Sequence, residues 1–300
     1  MYAITGATGN TGKAITEKLL ARGEKVRVIG RDAGRLGPLV KKGAEPFVAD
    51  VTDATAMARA FTAVNAVYLM VPPNLTAPDV RGFQERVSDA LTAAAERAGV
   101  EHAVLLSSVG ADKADGTGPV VGLHNFEEKL SRLTQLKALY VRAGYFMENL
   151  LPQVSVIKSL GIMAGPVRAD LRLPWIATRD IGAFAAEALR TLTFSGKQTR
   201  EVLGQRDVTY NEAATHVGKA IGKPDLTYSQ MPPSQLKPAL VQMGMSDNMA
   251  DLLLAMSEAM NSGYMAPLEP RSAQNTTPTS LEQFIAEAFV PRFTEKAAGA

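Results

Sequence analysis

The sequence predicts an α/β protein: a doubly wound parallel sheet carrying a smaller α/β lobe. Three observations point there. Short apolar, β-rich runs alternate with amphipathic helical runs through the first half of the chain. A glycine-rich turn, Gly6–Gly12, separates the first such run from the first helix. The chain has 300 residues, 46% of them hydrophobic and 21% charged. At that length a globular protein buries roughly three quarters of the surface its unfolded chain exposes, so a large core with a second lobe fits.

The elements follow in order. Tyr2–Thr5 is the first strand. Lys13–Arg22 is a helix, with Ala14, Ile15, Leu19 and Leu20 on one face and Gly23 as its stop. Lys25–Gly30 alternates charged and apolar residues and reads as the second strand, followed by a short helix over Leu36–Lys42. Pro46–Ala49 is a strand, Ala54–Phe61 a helix, and Ala66–Val71 a strand closed by Pro72 and Pro73. Pro78–Ala98 is a long helix ending at Gly99, and His102–Leu106 a fifth strand. Leu123–Leu136 is a helix and Ala138–Arg142 the sixth strand. Strands joined through helices of this length imply right-handed crossovers and a parallel sheet, of strand order 3-2-1-4-5-6. Trp175–Thr178 is expected to add one more strand, feeding a helix over Asp180–Thr191. Further on come strands from Asp207 and over Leu226–Ser229, and helices over Asn211–Ile221, Asp247–Gly263 and Ser280–Phe289. Met231–Pro238 holds three prolines and is expected to break structure. Lys296–Ala300 is small and polar and is expected to fray.

Composition removes whole classes of function. Cysteine is absent, which excludes disulfides, thiolate metal sites and cysteine nucleophiles. Three scattered histidines, His102, His124 and His216, do not suggest a metal centre. The net charge is +2 with no long single-sign run, so no footprint for nucleic acid or an anionic membrane is expected. No apolar run approaches the ~20 residues of a membrane helix, and no secretory pattern opens the chain. A cytoplasmic monomer or homodimer is the expectation.

Gly6-Ala7-Thr8-Gly9-Asn10-Thr11-Gly12 has the spacing G-x-x-G-x-x-G, between a strand and an amphipathic helix. In that context the pattern reads as a dinucleotide cradle. Gly6 permits the tight turn, Gly9 lets the backbone approach a pyrophosphate, and Gly12 lets helix and strand pack closely. The free N–H groups of the helix start, from Asn10 and Thr11 on, face the anion. Arg31 stands 19 residues past Gly12, at the end of the second strand. A guanidinium there pairs with a 2′-phosphate, so NADP(H) is favoured over NAD(H). Asp32, the next residue, is a carboxylate that could serve NAD(H) instead.

The chain resembles the NmrA-like family of atypical short-chain dehydrogenases/reductases. The residues that carry the resemblance are Gly6–Gly12, Val28–Asp32, Val48–Asp50, Met70–Pro73, Leu105–Ser108, Tyr145–Leu151, Arg179–Ala185 and Thr277–Glu282, in the family's order. The resemblance implies a Rossmann fold. It places Asp50 near an adenine, Leu69, Met70, Val71 and Pro72 beside the ribose and pyrophosphate, Ser107 near the nicotinamide, and Tyr145 on the cleft wall. Short-chain dehydrogenases commonly use Tyr-x-x-x-Lys, but none of the seven tyrosines here has a lysine four residues on. In that region stand His124 and Glu128, four apart on a helix. They resemble the His-x-x-x-Glu arrangement of the quinone- and dye-reductase branch, which would make His124 a proton donor supported by Glu128. The same spacing also describes an exposed surface pair with no role.

The expected organisation is a dinucleotide-binding domain over residues 1–151 and 173–204, a smaller substrate lobe over 152–172 and 205–292, and a flexible tail from 293. The expected function is NADPH-dependent reduction of a quinone-like or other conjugated small-molecule electron acceptor. Met243, Met245, Met249, Met256 and Met260 are available to line an adaptable apolar wall. The alternative is a redox-sensing regulator that binds NADP(H) and a protein partner without turnover.

Overall fold

A computed structural model describes residues 1–295. Its elements are β1 (Tyr2–Ile4), α1 (Asn10–Leu20), β2 (Val26–Gly30), α2 (Ala33–Val40), β3 (Glu45–Val48), α3 (Ala54–Ala60), β4 (Ala66–Leu69), α4 (Val80–Arg97), β5 (His102–Ser108), α5 (Val121–Ser131) and β6 (Lys137–Ala143). There follow β7 (Tyr145–Phe146), α6 (Gln153–Leu160), β8 (Met163–Gly165), β9 (Leu173–Ile176), α7 (Thr178–Thr191), β10 (Lys197–Val202), β11 (Asp207–Val208), α8 (Tyr210–Ala220), β12 (Tyr228–Gln230), α9 (Pro233–Gln242) and α10 (Asp247–Asn261). The described chain ends in α11 (Leu281–Phe284), a π-helical turn, and α12 (Val290–Thr294).

Seven parallel strands form the main sheet in the order β10-β6-β5-β4-β1-β2-β3. This is the expected 3-2-1-4-5-6 order with one strand added. Its inner strands are apolar on both sides because helices cover both faces. One face packs Ile4, Val28, Tyr68, Val104 and Val141 against Ile15 and Leu19 of α1 and Ile181 and Leu189 of α7. The other packs Ala3, Ile29, Val67, Leu69 and Leu105 against helices α3, α4 and α5 through Met57, Leu91 and Phe126. A third core lies outside the main sheet. It gathers Met147, Ile157, Met163, Trp175, Tyr210, Val217, Tyr228, Leu281 and Phe289. Among the described residues, no helix is long and apolar enough to cross a membrane.

Three expectations are corrected. The added strand is Lys197–Val202, while the run around Trp175 forms β9 in a separate three-stranded sheet, between β7 and β11. The reason is steric. At Gly144 the chain leaves β6 to pair with β9, where a Cβ would stand 2.4 Å from the Pro174 carbonyl oxygen. The vacated edge of β6 takes Lys-Gln-Thr-Arg-Glu-Val, a polar edge strand with almost no apolar periodicity to read. Met231–Pro238 does not break structure throughout. Pro233 opens α9, as proline at a first helical position can, and α9 buries none of its residues. The tail begins later than residue 293, because α12 runs to Thr294, and the expectation for Lys296–Ala300 lies outside the described residues.

Helix α7 props α1 through a second close approach. A Cβ on Gly182 would stand 2.5 Å from the Ala14 Cβ and 3.1 Å from the Thr11 carbonyl oxygen. Gly182→Ala is therefore expected to destabilise the protein by about 1–3 kcal/mol, read as a lowered melting temperature. An unchanged melting temperature would mean that α1 and α7 separate without cost.

Candidate active site

The carboxyl ends of β1, β4 and β5 meet at the glycine-rich turn. Gly6 has φ +59°, a conformation that only glycine adopts freely, and its carbonyl accepts the Gly9 N–H at 2.9 Å. Gly12 faces the same carbonyl, and a Cβ there would come within 2.3 Å of it. A Cβ on Gly9 would meet only that oxygen, at 3.3 Å. The turn is cross-braced. The Thr5 hydroxyl donates to the Tyr68 carbonyl at 2.9 Å and accepts from the Met70 N–H at 3.2 Å. The Tyr68 phenol donates to the Thr11 hydroxyl at 3.0 Å, and burial holds its pKa well above the ordinary value. No side chain caps α1, and no acidic residue sits in its first turn. Its N–H groups and the positive end of its dipole are available to an anion.

A cleft of about 570 Å³ opens over this turn. Gly9, Asn10, Thr11, Met70, Val71, Pro72 and Ser107 line it, so the fold brings these predicted residues together. Gly6 and Gly12 shape its floor from behind, Thr8 is half-buried beside them, and Leu69 belongs to the core. Gln84, Phe146, Glu148, Asn149 and Thr178 also line the cleft. Glu148 accepts from the Thr178 hydroxyl at 2.5 Å, and burial raises its pKa against that bond. Arg31 and Asp50 stand exposed at the ends of β2 and β3. The Asp50 carboxyl is partly buried, which works to raise its pKa. Two bonds from Thr52 and the charge of Arg31 outweigh that and hold it low. The Asp32 carboxylate caps α2, accepting from the Gly34 N–H at 2.8 Å and the Arg35 N–H at 3.3 Å.

A second, mostly apolar cavity of about 240 Å³ adjoins the first. The two share Ser108, Phe146 and Asn149 in their walls. Met256, Met260, Met265, Leu171 and Leu173 line the second cavity. Tyr145 lies there rather than over the glycine turn. Its phenol pairs with that of Tyr210 at 2.8 Å, and burial raises its pKa. Of the predicted methionine wall, Met256 and Met260 take part. Met249 lines the first cleft, Met245 packs against a small cluster around Val80, and Met243 is exposed.

The expected His124–Glu128 pair does not form. His124 lines neither cavity, and its Nδ1 meets the Ala111 carbonyl at 2.9 Å, pinning the turn that follows β5. Glu128 is exposed. The engaged carboxylate is its neighbour Glu127, buried under the sheet, which accepts from Ser107 and is gripped by Arg142. Helix geometry held the signal. Glu127 falls on the apolar face of α5 with Leu123, Phe126 and Leu130, a face that demands a buried partner for a charge.

Comparison with known proteins agrees with this architecture. The NmrA-like family pattern matches residues 2–285. The chain is 27% identical over 268 residues to an NAD(P)H azoreductase of Xenophilus azovorans, covering 89% of each chain. It is 28% identical over 297 residues to a (4-alkanoyl-5-oxo-2,5-dihydrofuran-3-yl)methyl phosphate reductase of Streptomyces griseus, covering 97% of this chain and all of the relative. Among solved structures, an NADPH-dependent quinone oxidoreductase of Escherichia coli complexed with NADPH superposes with a TM-score of 0.79, at 24% identity, covering 96% of this chain and 100% of that one.

His124 and Glu128 are expected to behave differently when replaced. His124→Ala removes the bond to Ala111 and should cost about 1 kcal/mol, while Glu128→Ala should stay within about 0.5 kcal/mol of the wild type. Denaturant midpoints check this, and equal midpoints for the two variants would overturn the distinction.

Proposed function

We propose, from the premise that the chain belongs to the NmrA-like family, that it is an NAD(P)H-dependent reductase of a quinone-like or other conjugated small molecule. The observation that carries this reading is the junction of the two cavities. A cleft over an uncapped helix start shares three wall residues with a smaller cavity, and both are mostly apolar and of small-molecule size. The names of the relatives, an azoreductase, an oxo-dihydrofuran reductase and a quinone oxidoreductase, describe conjugated acceptors, and the first and last name NAD(P)H or NADPH.

The residues present suit a dinucleotide. The start of α1 would receive the pyrophosphate, with Gly9 leaving room for it. Leu69 to Pro72 and Asp50 would border the ribose and adenine. Arg31 is free to meet a 2′-phosphate, whereas Asp32 is engaged as a helix cap and offers less to a 2′-hydroxyl. Bound NADPH supplies a hydride at its nicotinamide ring. The chain's own contribution is placement: the apolar cavity would hold a flat acceptor beside that ring and keep water away from it. The methionines make its wall adaptable. Residues 152–172 and 205–292 supply about half of that wall, including Met256, Met260 and Met265, which fits their reading as the substrate lobe. His124 is turned to Ala111, so its part is to position the turn beside the cavity. A conjugated acceptor can take its last proton from solvent, so the chemistry does not require an imidazole or a Tyr–Lys pair at this point.

Three outcomes are expected. Purified protein should oxidise NADPH when quinones are supplied. NADPH binding without oxidation by any of a panel of quinones and azo dyes would favour the redox-sensor reading. Arg31→Ala should reduce the preference for NADPH over NADH by on the order of tenfold or more, since a charged hydrogen bond is worth roughly 1.5–3 kcal/mol. Fluorescence titration measures this, and an unchanged ratio would remove Arg31 from the 2′-phosphate site. Gly9→Val should keep the native circular dichroism and lose NADPH binding. Normal binding by that variant would show that the turn is not the phosphate cradle.

A further inference from the structure

Ser107, Glu127 and Arg142 form a buried polar trio whose hydrogen bonds leave only one arrangement of protons. Ser107 closes β5, is 2% exposed, and still lines the cleft. Its hydroxyl donates to Glu127 Oε1 at 2.5 Å. Glu127 is 5% exposed. Arg142 grips both of its carboxylate oxygens, Nε at 3.0 Å and Nη2 at 2.6 Å, from the β6 position directly opposite Ser107. Stability alone is a weak reason for such a trio, because replacing a buried ion pair by well-packed apolar residues is often neutral or stabilising.

The trio does fix the polarity of Ser107. A carboxylate held by a bidentate guanidinium is ionised and only accepts. A serine hydroxyl has one proton, and here it is committed to Glu127. What Ser107 has left to offer the cleft is lone pairs alone, and no other partner for its hydroxyl exists among the described residues. A ligand group that meets Ser107 must therefore bring an N–H or O–H of its own. A ketone or quinone oxygen would meet a lone pair, not a proton.

We propose that Glu127 and Arg142 are positioning residues that hold Ser107 as a fixed hydrogen-bond acceptor for the carboxamide NH₂ of the nicotinamide. This rests on the dinucleotide reading above. The carboxamide carries the only N–H donors on that ring. One directed bond to it sets which way the ring lies, and so which face it turns to the apolar cavity. It follows that Ser107 is not the source of the acceptor's proton.

The test compares two probes by equilibrium titration, NADP⁺ and its acetylpyridine analogue, in which a methyl group replaces the amide NH₂. The wild type should bind NADP⁺ about 3- to 10-fold more tightly than the analogue, the range of one neutral hydrogen bond. Ser107→Ala should bind the two alike. The double variant Glu127→Leu with Arg142→Met replaces the ion pair by apolar groups and frees the hydroxyl to rotate. It should keep a near-native melting temperature and also lose the discrimination, which a merely structural role would not affect. If that variant does not fold, Glu127→Gln, whose amide oxygen can still accept the Ser107 proton, should keep the discrimination, and Ser107→Ala alone should remove it. A wild type that binds both probes equally overturns the proposal. So does a double variant, or a Ser107→Ala variant, that discriminates as the wild type does. A wild type that binds neither probe overturns the dinucleotide reading, and the proposal with it.

Discussion

Gly12 has no side chain, and the rest of the site depends on that. A Cβ there would stand 2.3 Å from the Gly6 carbonyl oxygen, so only glycine lets α1 come down onto the end of β1. Once the helix is down, its bare N-terminus faces the cleft and its flank reaches α7, where Gly182 meets Ala14. The bonds from Thr5 to Tyr68 and from Tyr68 to Thr11 then lock the helix start to β4. These are short-range steric and hydrogen-bonding conditions, and together they place an uncapped helix N-terminus at the point where the order of the sheet reverses.

The polar groups around the cleft follow one pattern: each buried charge is tied to a partner that limits what it can do. Glu127 is held by Arg142 and takes the Ser107 proton. Glu148 is held by Thr178. Asp32 caps a helix. What is left to face ligands is the backbone N–H of the α1 start, the Ser107 oxygen, the side-chain amides of Asn10, Gln84 and Asn149, and the exposed guanidinium of Arg31. The adjoining cavity is also mostly apolar, with Met256, Met260, Met265, Leu171 and Leu173 in its wall. What distinguishes the first cleft is the bare start of α1 at its floor, which suits a charged group, while the second offers apolar surface to a flat acceptor.

Much of this was legible beforehand. The strands up to Ala143 and their order follow from periodicity and crossover handedness, and the glycine turn from its strand–helix setting. The misreadings share a cause. Lys197–Val202 is an edge strand with polar residues, so it lacks the apolar signal by which strands are recognised. Leu173–Ile176 carries a strong strand signal, but which sheet it joins depends on Gly144 turning the chain away from β6. His124 and Glu128 have the right spacing, but spacing does not say how a helix is rotated about its axis. The burial of Phe126, Glu127 and Leu130 decides that.

Residue patterns alone set the order of the first six strands, the glycine turn, the charge at the end of β2 and the lack of cysteine. The turn and the charge are local, and the strand order follows from short right-handed crossovers between successive strands. Only the tertiary structure decided that Tyr145 lines the second cavity and pairs with Tyr210, that His124 serves the Ala111 turn, and that Glu127 rather than Glu128 meets Ser107. Those outcomes depend on contacts between residues from 13 to 65 positions apart. Such contacts are set by how sheets and helices close around a shared core, and no periodicity along the chain encodes them.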